Sequence, residues 1–304
     1  MRRRRAAAWR MATVAATIVA ASPAAGFDLP EPVSGWRAEV GTRAFFSGGR
    51  YQKSLYGRYL NSRLTYGGTR AVTGEVFGRL DMPGGVFVKG YAGFGSHTGG
   101  TLIDEDFPPG FTPYSRTVGE MRNGRIDYAS LDVGGTVWQS GANRLGLFVG
   151  VHRFFEKYHA YGCRQTATSS MCVPTTPLSH LDMSQTARWT VLRVGAVADL
   201  AITDRLKVTL DAAFLPYAHL DAFDNHWNRP EINPTAEVGH GIGTQLEASL
   251  AYRLTDHLSL GAGGRFWYYQ TAKAKARFGP PDPPERVWSE RWGLFVQVSY
   301  RTAF

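Results

Sequence analysis

The chain has 304 residues, 43% hydrophobic and 19% charged, a composition that excludes a disordered or low-complexity protein. Its formal charge of +9 does not indicate nucleic-acid binding, because five arginines lie in the first 26 residues and the rest of the chain carries only +4. After residue 25 no run approaches the ~20 apolar residues of a membrane-spanning helix, which excludes a helical membrane protein.

The first 26 residues have the three parts of a secretory signal peptide. Met1–Arg10 is basic, Met11–Ala21 is apolar but too short to span a membrane, and small residues follow it. The alternative is a first helix of a globular domain, which four consecutive arginines before the apolar run disfavour. The sequence therefore predicts an exported protein whose residues 1–26 are cleaved before Phe27.

Cys163 and Cys172 are the only cysteines. An even number of cysteines in an exported protein favours a disulfide, and two free thiols are the alternative. No partner ligands stand at zinc spacing, so no metal site is expected.

From residue 36 onward, apolar and polar residues alternate with a period of two, which predicts strands with one apolar and one polar face. In the last segment Leu294, Val296 and Val298 share one face, and Gln297 and Ser299 lie on the other. Ten such segments follow one another, near 36–52, 58–81, 86–98, 122–139, 143–161, 185–202, 205–222, 237–254, 256–273 and 287–304.

Short and long connections between these segments alternate strictly. The short ones lie near 82–85, 140–142, 203–204 and 255–256, and the long ones near 50–57, 99–121, 162–184, 223–236 and 274–286. This asymmetry is typical of an outer-membrane barrel with short periplasmic turns and long external loops.

A soluble β-sandwich would show the same alternation, with its polar faces in water. Three features favour a barrel: the predicted export, strands of about 15–18 residues where globular proteins use ~5–6, and the terminal Phe304, which resembles the assembly signal of Gram-negative outer-membrane barrels. The sequence thus predicts an all-β fold, in which residues 27–304 form a ten-stranded antiparallel transmembrane β-barrel. Its five loops would face the outside of a Gram-negative bacterium.

Two of the long loops carry residue types suited to hydrolysis. The second contains Asp104 and Asp106, and the fourth contains Asp224 and His226. Residues two apart in extended chain point to one side, so each pair can present matched side chains. An imidazole titrates near neutrality, and paired carboxylates can share a proton. Solvated acids, or acids that bind divalent cations at the cell surface, are the alternative reading of these loops.

The order of the motifs, Gly-x-x-x-Asp-x-Asp-aromatic from Gly100 and then Asp-x-His-aromatic from Asp224, resembles the omptins, which are ten-stranded outer-membrane proteases. The resemblance implies that Asp104, Asp106, Asp224 and His226 are catalytic. Asp224 would orient His226, and His226 would act as general base on a water held between it and the Asp104–Asp106 pair, without a covalent intermediate.

The same resemblance implies a peptide or protein substrate and contact with outer-membrane lipid and lipopolysaccharide, with lipopolysaccharide as a candidate requirement for activity. No other cofactor, no metal and no nucleic-acid partner are expected. Arg116, Arg122 and Arg125 are candidates for contact with lipid phosphates, and solvated arginines are the alternative.

Two features depart from the omptin pattern. Gly49 and Ala222 stand where omptins carry the acids that recognise basic substrate residues, and only Asp221 is near enough in sequence to substitute. In addition, strict alternation from Lys207 would turn Asp224 and His226 outward, unless a bulge near Pro216 shifts the strand by one residue.

Two other functions remain open. A non-enzymatic barrel of the same fold could serve adhesion, lipopolysaccharide contact or envelope structure. A small pore is disfavoured, because bulky side chains fill a ten-stranded lumen.

Overall fold

The computed structural model describes residues 35–107, 110–277 and 281–304, so the predicted signal peptide lies outside the described residues. A three-residue 3₁₀ helix spans Pro230–Ile232, and no helix in the described ranges is long and apolar enough to cross a membrane. The strands are β1 Arg37–Tyr56, β2 Leu60–Asp81, β3 Val86–Asp106, β4 Ser115–Met121, β5 Gly124–Ser140, β6 Asn143–Gln165, β7 Thr176–Ala201, β8 Leu206–His226, β9 Thr235–Arg253, β10 Leu258–Ala276 and β11 Pro284–Ala303.

The strands form one antiparallel sheet that closes on itself. The first strand, β1, pairs with the last, β11, from Arg37↔Ala303 to Leu55↔Glu285. β4 and β5 share one position in the ring, because both pair with β3 and β6. The break between them includes Asn123, whose φ of 53° is one that asparagine tolerates. The ring therefore has ten positions, and the predicted all-β, ten-stranded antiparallel barrel is confirmed.

Closure removes the open strand edges that hydrocarbon does not tolerate. Outward-facing apolar side chains form a belt around the barrel near the end with the short turns. Its exposed members include Val40, Phe46, Val76, Phe94, Leu131, Leu147, Val149, Leu192, Phe214, Leu246, Leu260, Leu294 and Val296. At ~3.3 Å per residue, strands such as β3, which ends twelve residues after Phe94, rise well beyond this belt at the loop end.

The strands are longer at the loop end than predicted. β3 runs through Asp106 and β8 through His226, so the prediction that these residues lie in loops is wrong. The pairing partners of Asp104 and Asp224 are strand residues, Leu64 and Gln185. The polar composition of these strand ends resembles that of loops. Pairing nevertheless continues there, because the backbone hydrogen bonds of the ladder do not depend on apolar side chains.

The lumen is filled with side chains. An aromatic layer crosses it, in which Phe154, Trp189 and Trp267 are fully buried together with Tyr269. On the turn side of this layer, buried charges pair with one another, as Arg265 does with Glu75 at 2.6 Å. A cavity of about 110 Å³ remains among these charges. The aromatic layer separates it from the loop end of the barrel.

The predicted disulfide is present. Cys163 near the end of β6 is bonded to Cys172 in the following loop, with their Cα atoms 5.6 Å apart. The bridge lies in the wall of the cavity at the loop end.

Candidate active site

A cavity of about 690 Å³ at the loop end is lined by all four of the predicted site residues, Asp104, Asp106, Asp224 and His226. The aspartates of β3 and the pair on β8 come from distant walls, four strand positions apart in one direction and six in the other. The barrel thus brings the two sequence motifs to one cavity. All four residues lie beyond the apolar belt.

A bulge in β8 turns Asp224 and His226 inward. The register shifts between Leu215 and Ala218 against β9, and Pro216 lies within that shift. Before the shift the buried side chains of β8 are at odd positions, and after it they are at even positions. Proline has no N–H to donate to the ladder, so a bulge at Pro216 costs no additional backbone hydrogen bond. The structure thus contains the bulge near Pro216 without which strict alternation would turn Asp224 and His226 outward.

Asp104 and Asp106 differ in their surroundings. Asp104 is half-buried with its Oδ1 shielded from solvent, and desolvation, followed by the charges of Asp106 and Asp224, raises its pKa to about 8. Its Oδ1 has no hydrogen-bond partner among the described residues. Burial also raises the pKa of Asp106, but a hydrogen bond from Ser62 opposes the shift. Asp104 is therefore the member of the pair that keeps a proton at neutral pH.

Asp224 lies beside His226, but it is held by another residue. The Nδ1 of His226 is 3.5 Å from Oδ2 of Asp224, too far for a hydrogen bond. The ammonium of Lys53 donates to the same oxygen at 2.5 Å. Burial lowers the pKa of His226, while the charge of Asp224 opposes this shift. The imidazole is thus neutral at pH 7 and can accept a proton.

Sequence reasoning missed three residues in the floor of the cavity, namely Lys53, Glu237 and Glu285. Glu237 is the cross-strand neighbour of Ala222, and both are buried, so β9 supplies an acid beside the position where β8 lacks one. The register between β8 and β9 would have revealed this, but alternation along a single strand carries no register.

Asp221, the candidate substitute for the missing acids, does not line the cavity. Its carboxylate faces the outer wall and pairs with Arg188 at 3.4 Å, because the bulge turns odd positions of β8 outward. Gly49 leaves no room for a side chain directed at the lumen, since a Cβ there would lie 2.5 Å from the carbonyl oxygen of Glu290 and 3.3 Å from the guanidinium of Arg291.

An antiparallel sheet with ten strand positions, closed around a filled lumen and with an apolar belt outside, defines the fold of an outer-membrane β-barrel. No protein-family model matches the sequence, and no curated protein matches it. Among solved structures, the chain is similar to the outer membrane protease OmpT from Escherichia coli. That match has a TM-score of 0.70 and 11% sequence identity, and it covers 88% of this chain and 97% of that chain.

Two other solved structures match with lower scores. The translocator domain of the autotransporter NalP from Neisseria meningitidis has a TM-score of 0.38 and 13% identity, covering 90% of this chain and 91% of its own. The attachment invasion locus protein Ail of Yersinia pestis has a TM-score of 0.29 and 9% identity, covering 87% and 98%. At this identity, the likeness to OmpT shows the fold of the chain.

Proposed function

We propose that the protein is an omptin-like endopeptidase of the outer membrane that activates water with Asp104, Asp106, Asp224 and His226. The observation that supports it is the meeting of these four side chains at one cavity, although they come from β3 and β8. Two of them have pKa values displaced in the directions that acid–base chemistry needs: Asp104 upward and His226 downward.

In this mechanism a water lies between His226 and the aspartate pair. His226 accepts a proton from the water as its oxygen attacks the peptide carbonyl carbon. Protonated Asp104 donates a hydrogen bond to the carbonyl oxygen, where negative charge develops. The imidazolium then gives its proton to the leaving amine, and the products are a carboxylate and an amine. The negative charge of Asp224, whose Oδ2 lies 3.5 Å from Nδ1 of His226, stabilises the protonated imidazole without a hydrogen bond to it.

The proposed location is the outer membrane of a Gram-negative bacterium, with the belt in lipid and the cavity facing outward. The belt and the fold support it. A barrel with both chain ends at the turn side would carry its long loops, and therefore this cavity, on the outer surface.

Cleavage of a mixed peptide library by the refolded barrel, with lipopolysaccharide present, tests the proposal. We expect the wild type to cleave, and His226→Ala to lose roughly 10²–10⁴-fold in rate, the usual contribution of a general base. His219→Ala is the matched control, because His219 is on the same strand but lines the outer surface. Equal cleavage by wild type and His226→Ala would contradict the mechanism.

A non-enzymatic barrel is the second candidate, and one observation favours it: Asp224 is engaged by Lys53 instead of His226. On the outer wall, Arg125, Arg153 and Arg188 surround Phe155 next to the belt and could contact lipid phosphates, although Arg125 already pairs with Asp127 and Arg188 with Asp221. Of the predicted lipid-contact arginines, Arg125 belongs to this cluster. Absence of cleavage by a barrel shown to be folded would favour lipopolysaccharide contact as the function.

A further inference from the structure

Lys53 is a buried cation in the floor of the cavity and belongs to neither sequence motif. Its side chain is 6% exposed, and its ammonium contacts both Asp224, at 2.5 Å, and Glu237. A third carboxyl group, Glu285, is buried in the same floor, and its Oε2 has no hydrogen-bond partner among the described residues. One ammonium therefore lies among three carboxyl groups and contacts two of them.

Resting on the proposed peptidase function, we propose that Lys53 is a specificity-determining residue whose ammonium fills the anionic floor of the cavity. It thereby excludes lysine and arginine side chains of the substrate from this subsite. The subsite is left to an uncharged substrate side chain.

The contacts of Lys53 are those that a basic substrate side chain would need. A pocket binds an ammonium or guanidinium with carboxylates that lack another partner, and here Asp224 and Glu237 already share one ammonium. A second cation would have to lie beside the first, where like charges repel strongly in a partly dry site. Displacing Lys53 instead would leave it buried without its partners, which is costly for a charged group.

The remaining acid adds little negative charge to the floor. Burial, together with the charge of Glu237, raises the pKa of Glu285 well above its usual value. Burial also raises the pKa of Glu237, although Lys53 opposes that shift. Gln185 donates a further hydrogen bond to Glu237 at 2.9 Å, so little of its acceptor capacity is free.

Binding of the aryl amidinium 4-aminobenzamidine, whose fluorescence rises in a water-poor site, tests this inference without needing catalysis. All variants are made in the full-length His226→Ala barrel, and folding is checked by heat-dependent migration in a denaturing gel. We expect weak binding with Lys53 present and at least about tenfold tighter binding in Lys53→Met, which keeps the length of the side chain and removes its charge. Lys53→Arg should bind as weakly as the parent.

The double variant Lys53→Met/Glu237→Gln removes one acid together with the cation and should lose the gain. Equally tight binding in the parent and in Lys53→Met would overturn the proposal, as would a gain that persists in the double variant. If Lys53→Met does not refold, Lys53→Gln is measured with the same two outcomes. A gain in binding without any peptide cleavage by the wild type would retain the floor cation and reject the peptidase.

Discussion

Asp104 and Asp106 have the same side chain and lie two residues apart on β3, but their surroundings give them different acid strengths. Both side chains are half-buried, but the charges of two other carboxylates act on Asp104, whereas Asp106 accepts a hydrogen bond from Ser62. Burial and like charge both disfavour ionisation, so Asp104 keeps its proton up to a pH of about 8. Burial lowers the pKa of the base, His226, so that at neutral pH Asp104 can donate a proton while His226 can accept one.

This difference predicts a bell-shaped dependence of kcat/KM on pH. Activity should rise as His226 loses its proton, below the ordinary value of 6.5 because its pKa is lowered. It should fall as pH rises through about 8, where Asp104 loses the proton that it donates in the proposed mechanism. Peptide cleavage measured from pH 4 to pH 10 checks both limbs.

The matched variant for the upper limb is Asp104→Asn, which keeps the shape of the side chain and does not titrate. Its residual activity should lack the fall near pH 8, while the rise at low pH should remain. If the fall in activity near pH 8 is unchanged in Asp104→Asn, another titrating group must cause that fall.

At the scale of the element, one residue in β8 decides which way the candidate site faces. Pro216 and Tyr217 are consecutive exposed residues, and beyond them the buried positions change from odd to even. Without this extra residue the period of two would place Asp224 on the outer wall and Phe223 in the lumen. The bulge is therefore a local feature with a consequence eight residues away.

Deletion of Pro216 should leave a barrel that still folds, but it should lower the rate of peptide cleavage roughly 10²–10⁴-fold, the usual effect of losing a general base. Pro216→Ala is the control, because it keeps the number of residues and hence the bulge, and it should retain activity. Labelling of Phe223→Cys by a membrane-impermeant maleimide gives a second readout. Phe223 is exposed and outward in the wild type.

In the deletion variant this cysteine should turn inward and become protected. Continued labelling together with retained cleavage would mean that the ladder re-forms its bulge at another position. The native disulfide does not react with maleimide, so the added cysteine is the reporter.

At the scale of the whole molecule, the parts of the fold that follow from alternation were predictable. The period of two, the ten segments and the alternating connections predict the barrel, because all three can be recognised along the chain without knowing which strands pair. The strand ends above the belt were not predictable, because polar residues occupy both faces of the strand there and leave no alternation of apolar and polar residues. The candidate site was predictable in Asp104, Asp106, Asp224 and His226 through a family resemblance.

Lys53, Glu237 and Glu285 were not predictable, and the reason is physical. They lie on β1, β9 and β11, and they meet through the register and closure of the sheet. Alternation along a strand predicts which face a residue occupies, but it does not predict the position of that residue along the barrel axis relative to residues on other strands. Residues that meet across a barrel therefore cannot be identified from the alternation within single segments.

The filled lumen predicts that the barrel conducts no ions. An ion path would need continuous water from the cavity at the loop end to the smaller cavity on the turn side, and the aromatic layer with Trp189 and Trp267 lies between them. Buried rings packed at 4.9 to 5.4 Å between centroids leave no gap of that kind among the described residues. In planar bilayers the refolded wild type should therefore give no reproducible conductance steps. Stable openings of constant size would mean that this layer moves aside, and they would make a small pore the better description of the protein.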